Sequence, residues 1–297
     1  MRIPFLIVVG LAASAASRPA EYVVSGDGVV SGMLNGVPAR MRIDPAAPAV
    51  PITSTELANR AGLKAGPFDF EYLIGGTRIG GKSAVTRIDY GLGSVRRRVG
   101  WTTSPYRAGA DATIGPGLIA ASTVRFNLRP IRPGERTHVM PMVGQGGIEE
   151  AWGERFGLVN IGGSPVRIQF DPGRRRTVAT ASAGARLASV LGAQLSGATS
   201  EIEIAFGVIR PVRTLQMKKA LMLGRLTINE LSVRSNRYGS AYGIPEAGSD
   251  PNEIVVTGGS KKRGAEQIKL GADILDQCSS IVFDKTSRQV RLSCLGT

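Results

Sequence analysis

Histidine and cysteine are nearly missing from this chain, which has one His and two Cys in 297 residues. A Ser-His-Asp or Cys-His system would depend on His138 alone, and His138 lies in the Pro/Gly-rich stretch Arg129–Gly157, read as a connection. So few imidazole and thiolate groups leave no zinc set, and no metal or organic cofactor is expected. Aromatic residues make up only 5%, and the basic runs at 96–98, 174–176 and 261–263 are dispersed. No aromatic-interleaved strand or recognition helix accompanies them, so the net charge of +14 does not point to nucleic acid. An anionic envelope surface suits that charge better, as do plain solvated faces. The glycine-rich run Gly75–Gly81 lacks the Lys-Ser/Thr of a phosphate loop and sits between strands, which argues against phosphate binding.

Long apolar runs are also absent: nothing reaches the roughly 18 residues of a membrane span. Arg2, the apolar run Ile3–Leu11 and the small-x-small Ala13-Ser14-Ala15 read as a signal peptide over residues 1–17, with a retained anchor as the alternative. The expectation is an exported protein, periplasmic or secreted. Two cysteines in an exported chain suggest a bridge. Cys278 and Cys294 flank a predicted hairpin, and pairing Asp284 with Gln289 across its turn sets the two cysteines almost opposite one another.

Glycine is plentiful, at 39 residues, and β-branched runs alternate with Gly and Pro, so the predicted class is all-β with few short helices. The chain also says one thing twice. Asn35–Ala46, NGVPARMRIDPA, is matched by Gly162–Gly173, GGSPVRIQFDPG, at an offset of 127 (171 − 44), with Pro38/Pro165, Arg40/Arg167, Ile43/Phe170, Asp44/Asp171 and Pro45/Pro172 in register. Each copy reads as a Gly-centred turn, an alternating strand and an Asp at the strand's end, and internal repetition implies duplication. A capped short helix follows each, Thr53–Leu63 and Ala185–Gly192, now at offset 130 (187 − 57).

The remaining pattern is consistent with that duplication. The first strands are expected over Glu21–Val30 and Gly32–Ile43, joined near Ser31-Gly32. Glu71–Thr102 reads as short strands with a hairpin at Gly75-Gly76. Glu201–Val233 has the same character, and each half then reaches an apolar-apolar-Gly element, Ile114-Gly115 and Leu270-Gly271. The expected division is an N-terminal lobe at 18–130, a connection at 131–157 and a C-terminal lobe at 158–297, with an inserted polar loop at about 236–267. Inside that loop, Asn252–Gly259 is similar to the short box by which TonB-dependent outer-membrane receptors engage their partner, a handle for β-augmentation if exposed.

Strand, Asp loop, short helix, flap-like hairpin and apolar-apolar-Gly, in that order, resemble one lobe of the pepsin-like and retropepsin-like aspartic peptidases, and the resemblance runs from about Val23 to Cys294. It implies a bilobal fold with Asp44 and Asp171 as the catalytic pair, and Pro45, Ala46, Pro172, Gly173, Gly115 and Gly271 as its supporting loops. Tyr72, Gly75 and Gly76 then fall on a flap over the substrate. Chemically, two carboxylates within about 3 Å share one proton, so that one acts as base on a water and the other polarises the scissile carbonyl. The chain departs from the family's Asp-Thr/Ser-Gly at Asp44-Pro45-Ala46 and Asp171-Pro172-Gly173. Pro lacks both the hydroxyl that braces the pair and a backbone N–H, Ala46 disfavours positive φ, and Arg174 is expected to bring a cation close. Two functions follow: an aspartic-type endopeptidase acting on peptide or protein, or a cleft that binds peptides or a periplasmic partner without cutting them. One chain supplying both halves implies a monomer.

Overall fold

The computed structural model describes residues 20–74, 77–144, 153–234 and 266–296. These are mostly strand, gathered into two sheets, and the all-β expectation holds. In chain order the elements begin with β1 (Glu21–Val24), β2 (Val29–Leu34), β3 (Val37–Ile43), β4 (Ile52–Ser54), α1 (Thr55–Arg60), β5 (Phe70–Ile74), β6 (Thr77–Asp89), β7 (Val95–Thr102) and β8 (Ala112–Ile114). A single 3-10 turn at Pro116–Leu118 leads to β9 (Thr123–Asn127), β10 (Arg136–Val143), β11 (Phe156–Ile161), β12 (Ser164–Phe170) and β13 (Val178–Ala179). Then come α2 (Ala181–Leu191), β14 (Gln194–Ala205), β15 (Val208–Leu223), β16 (Leu226–Arg234), β17 (Gln267–Leu270), α3 (Ala272–Leu275), β18 (Cys278–Asp284) and β19 (Gln289–Cys294).

Seven strands form one sheet in the order β2-β3-β8-β4-β7-β6-β5, and twelve form the other in the order β1-β9-β18-β19-β10-β11-β12-β17-β13-β16-β15-β14. One pairing pattern occurs in both. β3 runs parallel to β8, β8 antiparallel to β4 and β4 parallel to β7. Likewise β12 runs parallel to β17, β17 antiparallel to β13 and β13 parallel to β16. The strands that carry Asp44 and Asp171 at their ends, β3 and β12, open the two patterns.

Local sequence explains most element ends. The joint between the first long strands is Asn35-Gly36, not Ser31-Gly32: β2 runs through both of those residues and pairs with β3 as far as Leu34 opposite Val37. Asn35 (φ 49) and Gly36 (φ 83) are both left-handed, as a two-residue hairpin turn with right-handed strand twist requires. Helix α1 starts where Ser54 Oγ accepts the Leu57 N–H at 3.1 Å. Helix α2 begins four residues before the expected Ala185, capped by Thr180, and ends at Gly192 in the left-handed conformation. The connection between the halves carries a strand of its own: β10 pairs with β19 from Arg136 opposite Cys294 to Pro141 opposite Gln289. The expected inserted loop ends a residue early at its C-terminal side, since Gln267 already opens β17, and residues 235–265 lie outside the described residues.

One apolar core runs through both sheets, from Leu34, Met41, Ile43 and Ile114 to Ile168, Phe170, Leu187 and Leu270, all at most 2% exposed. Burying each such side chain stabilises the fold by roughly 1.5–3 kcal/mol. The Cys278–Cys294 disulfide is formed. Its register is as expected at the turn, Asp284 opposite Gln289, and a bulge between Cys278 and Ser280 shifts the strand so that the cysteines face each other. Among the described residues no helix is long and apolar enough to cross a membrane.

Candidate functional site

Asp44 and Asp171 leave their strands in the same way. The Asp44 N–H donates to Ile114 O at 2.9 Å and the Asp171 N–H to Leu270 O at 2.8 Å, so each strand end is tied to the apolar residue preceding a glycine. The turns that follow match as well, with Ala47 N donating to Asp44 O and Arg174 N to Asp171 O. Gly115 packs against Ala47 and Pro48, while Gly271 passes so close to Arg174 and Arg176 that a Cβ would meet Arg176 C at 2.5 Å. Each Asp loop is thus held against its own glycine, Gly115 or Gly271, and both carboxylates are buried, Asp44 at 5% and Asp171 at 0% exposure.

Between them lies a residue that no sequence motif marks. Arg107, on the loop between β7 and β8, contacts both: its Nε is 2.6 Å from Asp44 Oδ2 and its Nη2 hydrogen-bonds Asp171 Oδ1. The approach of Nε to Asp44 is close without the alignment of a hydrogen bond. Arg174 Nε sits 3.2 Å from Asp171 Oδ2, as expected for a cation directly after the second loop, and Lys269 Nζ lies 4.0 Å from the same oxygen. Arg174 is itself fixed by its other nitrogens, which donate to Glu203 O at 2.5 Å and Ile204 O at 2.6 Å.

The two acids are consequently driven apart. Burial pushes the Asp44 carboxyl above its ordinary value, with Asp171 adding to the rise and Arg107 opposing it. Burial acts in the same sense on Asp171, but Lys269, Arg107 and Arg174 together outweigh it and hold that carboxyl below its ordinary value. Asp44 is therefore the easier of the pair to protonate, and Asp171 the one held ionised.

Side chains from elsewhere in the chain brace both Asp loops. Ala46 O accepts from the Tyr106 hydroxyl at 2.5 Å and from Gln169 Nε2, across the two sheets, at 3.3 Å. Gln169 Oε1 accepts from Gln267 Nε2 at 2.9 Å, which holds the amide in place. On the second loop Thr177 Oγ1 accepts the Gly271 N–H at 2.9 Å and donates to Asp273 at 2.7 Å. Neither Ala46 nor Gly173 adopts a positive φ, so a methyl at 46 is compatible with the turn.

Above this floor is a cavity of about 210 Å3, bordered by Ala46, Gln169 and Lys269 below and by Tyr72 and Phe206 on its wall. Tyr72 stacks on Phe206 with ring centroids 5.4 Å apart, and Tyr106 meets the other side of Phe206 at 5.3 Å. Phe206 itself has φ 55, rare for a bulky side chain, so the turn between β14 and β15 bears strain that its aromatic contacts must offset. Ile74 and Thr77 pair across the predicted flap hairpin, but Gly75 and Gly76 lie outside the described residues, as do the signal segment and Asn252–Gly259.

No protein-family model matches the chain, and no curated protein matches it. The site must therefore be read from its own geometry. His138 lies on β10, packed against Gly224, and does not line the cavity. Asp276 is a turn residue and Asp284 ends β18 at the hairpin, where it accepts from Thr286 and Ser287 N–H groups and pairs with Arg291 at 3.0 Å. Among the described residues no cluster of three His, Cys, Asp or Glu is arranged to hold a metal.

Arg107, Gln169, Tyr106 and Lys269 carry no motif that distinguishes them in sequence. The available signal for Arg107 is indirect: an Arg on a short Gly-flanked loop, Pro105 to Asp111, just ahead of the strand that pairs with β3.

Proposed function

We propose that this chain is a pepsin-like, bilobal aspartic-peptidase module of the cell envelope, formed by duplication, whose cleft takes extended peptide and whose two-carboxylate centre rests latched by Arg107. The observation that carries the reading is that Asp44 and Asp171, equivalent in the two sequence copies, converge on one guanidinium, and that their neighbours Ala46, Arg174 and Lys269 line an aromatic-walled cavity. The recurrence of one strand-pairing pattern around each Asp supports the duplication.

The latch has a simple electrostatic meaning. While Arg107 lies between the carboxylates, both are favoured as anions and the position of an attacking water is filled. Once Arg107 withdraws, two buried acids remain side by side, and one must take a proton. Asp44 takes it, being the group burial already disfavours as an anion; Asp171 stays ionised beside Arg174 and Lys269. Asp171 then removes a proton from water as its oxygen attacks the peptide carbonyl carbon, and Asp44 donates its proton to the carbonyl oxygen. The resulting diol collapses by breaking the C–N bond, with a proton passing to the departing nitrogen.

The test is cleavage of a mixed peptide library by the mature chain and by Arg107→Gln at acid and neutral pH. The expectation is at least about tenfold more product from Arg107→Gln than from wild type at acid pH, about 1.4 kcal/mol of barrier. Asp44→Asn and Asp171→Asn, each added to Arg107→Gln, should abolish that product. A second reading, binding without hydrolysis, is favoured by the three cations that hold Asp171 ionised and by Pro at 45 and 172. Peptide retained by Arg107→Gln without any product would establish it over the first.

A further inference from the structure

The cavity above the carboxylates has a second cationic feature that hydrolysis does not use. Arg234 ends β16 and Lys269 lies on β17, two strands separated only by the short β13, and both side chains line the cavity. Among the described residues the Arg234 side chain has no ion pair or hydrogen bond, although burial and then the neighbouring Arg174 both work against its charge. Lys269 has Asp171 at 4.0 Å, but that carboxylate is already engaged by Arg107 and Arg174. The acids facing this region are Asp44, Asp171 and Glu154, the last of which also acts on Lys269. Against them stand Arg107, Arg174, Arg234 and Lys269, which leaves one positive charge in excess. Arg234 is half-buried, and a cation that lines a cavity with no side-chain partner of its own is suited to an anion that arrives from outside.

The chemistry of that anion follows from charge and walls. One excess charge matches a monoanion better than a phosphate dianion. The planar fork of an arginine pairs with a carboxylate through two parallel hydrogen bonds. Beside the two cations the lining mixes polar groups, Arg174, Glu154, Gln169 and Gln267, with an apolar side formed by Tyr72, Phe206, Ile204 and Val178. The approach to the N-terminus of α2 through Val178, Ala179 and Thr180 adds positive potential in the same place.

We propose that this pocket is a carboxylate subsite, with Arg234 and Lys269 binding the anion and the aromatic wall taking an adjoining apolar side chain. On the peptide-cleft reading, on which the choice of peptide rests, the ligand is a peptide whose free C-terminus or acidic side chain follows an apolar residue.

Calorimetric titration of the mature chain tests the subsite with two pairs of probes. The first is 3-phenylpropionate against 3-phenylpropanamide. The second is acetyl-Ala-Ala-Leu-Phe with a free C-terminus against its amide, with the amide of acetyl-Ala-Ala-Leu-Phe-Asp as a third arm. Each carboxylate is expected to bind about tenfold or more tighter than its amide, equivalent to about 1.4 kcal/mol. Arg234→Gln should erase that preference and leave amide binding unchanged. The thermal midpoint of Arg234→Gln should equal or exceed that of wild type, because a charge repelled by Arg174 is removed; a purely structural arginine would lower it.

Equal binding of 3-phenylpropionate and its amide, no binding of either, or a preference indifferent to Arg234 overturns the proposal. If 3-phenylpropionate binds through Arg234 and no peptide binds, the subsite stands and the peptide-cleft reading fails. If peptides bind without regard to their carboxylates, the peptide-cleft reading stands and the subsite fails. Preference between the free C-terminus and the Asp peptide identifies the natural source of the carboxylate.

Discussion

A Cβ on Gly173 would lie 2.7 Å from Nη1 of Arg107, so the glycine of the second loop is what lets the guanidinium lie over it. The atom in the way is the end of a flexible side chain, and Gly173→Ala should fold with Arg107 displaced rather than with the loop rebuilt. The expected result is a loss of about 1–3 kcal/mol, as for other overpacked sites. Peptide turnover should shift in the same direction as in Arg107→Gln. Urea denaturation read beside the peptide assay checks this; a variant identical to wild type in both would show that Arg107 is not held there.

The two acids should differ on substitution. Asp171→Asn leaves Arg107, Arg174 and Lys269 with one buried anion fewer and should cost about 3–5 kcal/mol. Asp44→Asn removes a carboxyl that burial already disfavours as an anion, and should change stability by about 1 kcal/mol or less. Chemical denaturation at neutral pH separates the two, and equal losses would contradict the asymmetry.

Their pH dependences have opposite signs. The folded value of Asp171 is depressed, so its contribution is present above the ordinary carboxylate value of 3.8 and is lost as pH falls through the lower folded value. The folded value of Asp44 is raised, so its contribution is present below 3.8 and is lost as pH rises through that raised value. Acid titration of stability should therefore be steeper in Asp44→Asn than in wild type, and shallower in Asp171→Asn.

His138 supplies a separate test away from the site. Burial lowers its folded value below 6.5, and it packs against Gly224 at the turn between β15 and β16. Its contribution to stability is present above pH 6.5 and falls away as pH drops through the lower folded value. Denaturation midpoints should decline over that interval in wild type and stay flatter in His138→Gln, the only histidine having been removed.

The Cys278–Cys294 bridge closes a loop with a sequence separation of 16, for which chain entropy predicts about 3 kcal/mol. Replacing both cysteines by serine should lower stability by about that amount and leave carboxylate binding intact, since β10 and β11 separate the hairpin from β12 and β17 in the sheet. Parallel urea melts and calorimetry measure both.

Much of the fold is legible in the order of residues. Alternation in QVRLSC marks a half-buried strand, and Val290, Leu292 and Cys294 do face the core. Asn35-Gly36 outranks Ser31-Gly32 as a turn because two consecutive left-handed residues suit Asn-Gly, and local chemistry alone is enough to place that boundary. Arg107, Gln169 and Lys269 cannot be found in the same way. Arg107 meets an aspartate 64 positions away and Gln169 a carbonyl 123 positions away, and no periodicity encodes such partners.

Residue order alone determined the strand-rich class, the matched placement of Asp44 and Asp171 at two strand ends and the pairing of the cysteines, because alternation, an internal repeat and a hairpin register can all be read along the chain without knowing what meets what in space. Tertiary structure alone decided what surrounds the carboxylates: Arg107 between them, Arg174 and Lys269 beside one, and Arg234 unpaired in the cavity above. Charge interactions depend on distance and burial through space, and neither quantity exists until the chain has folded.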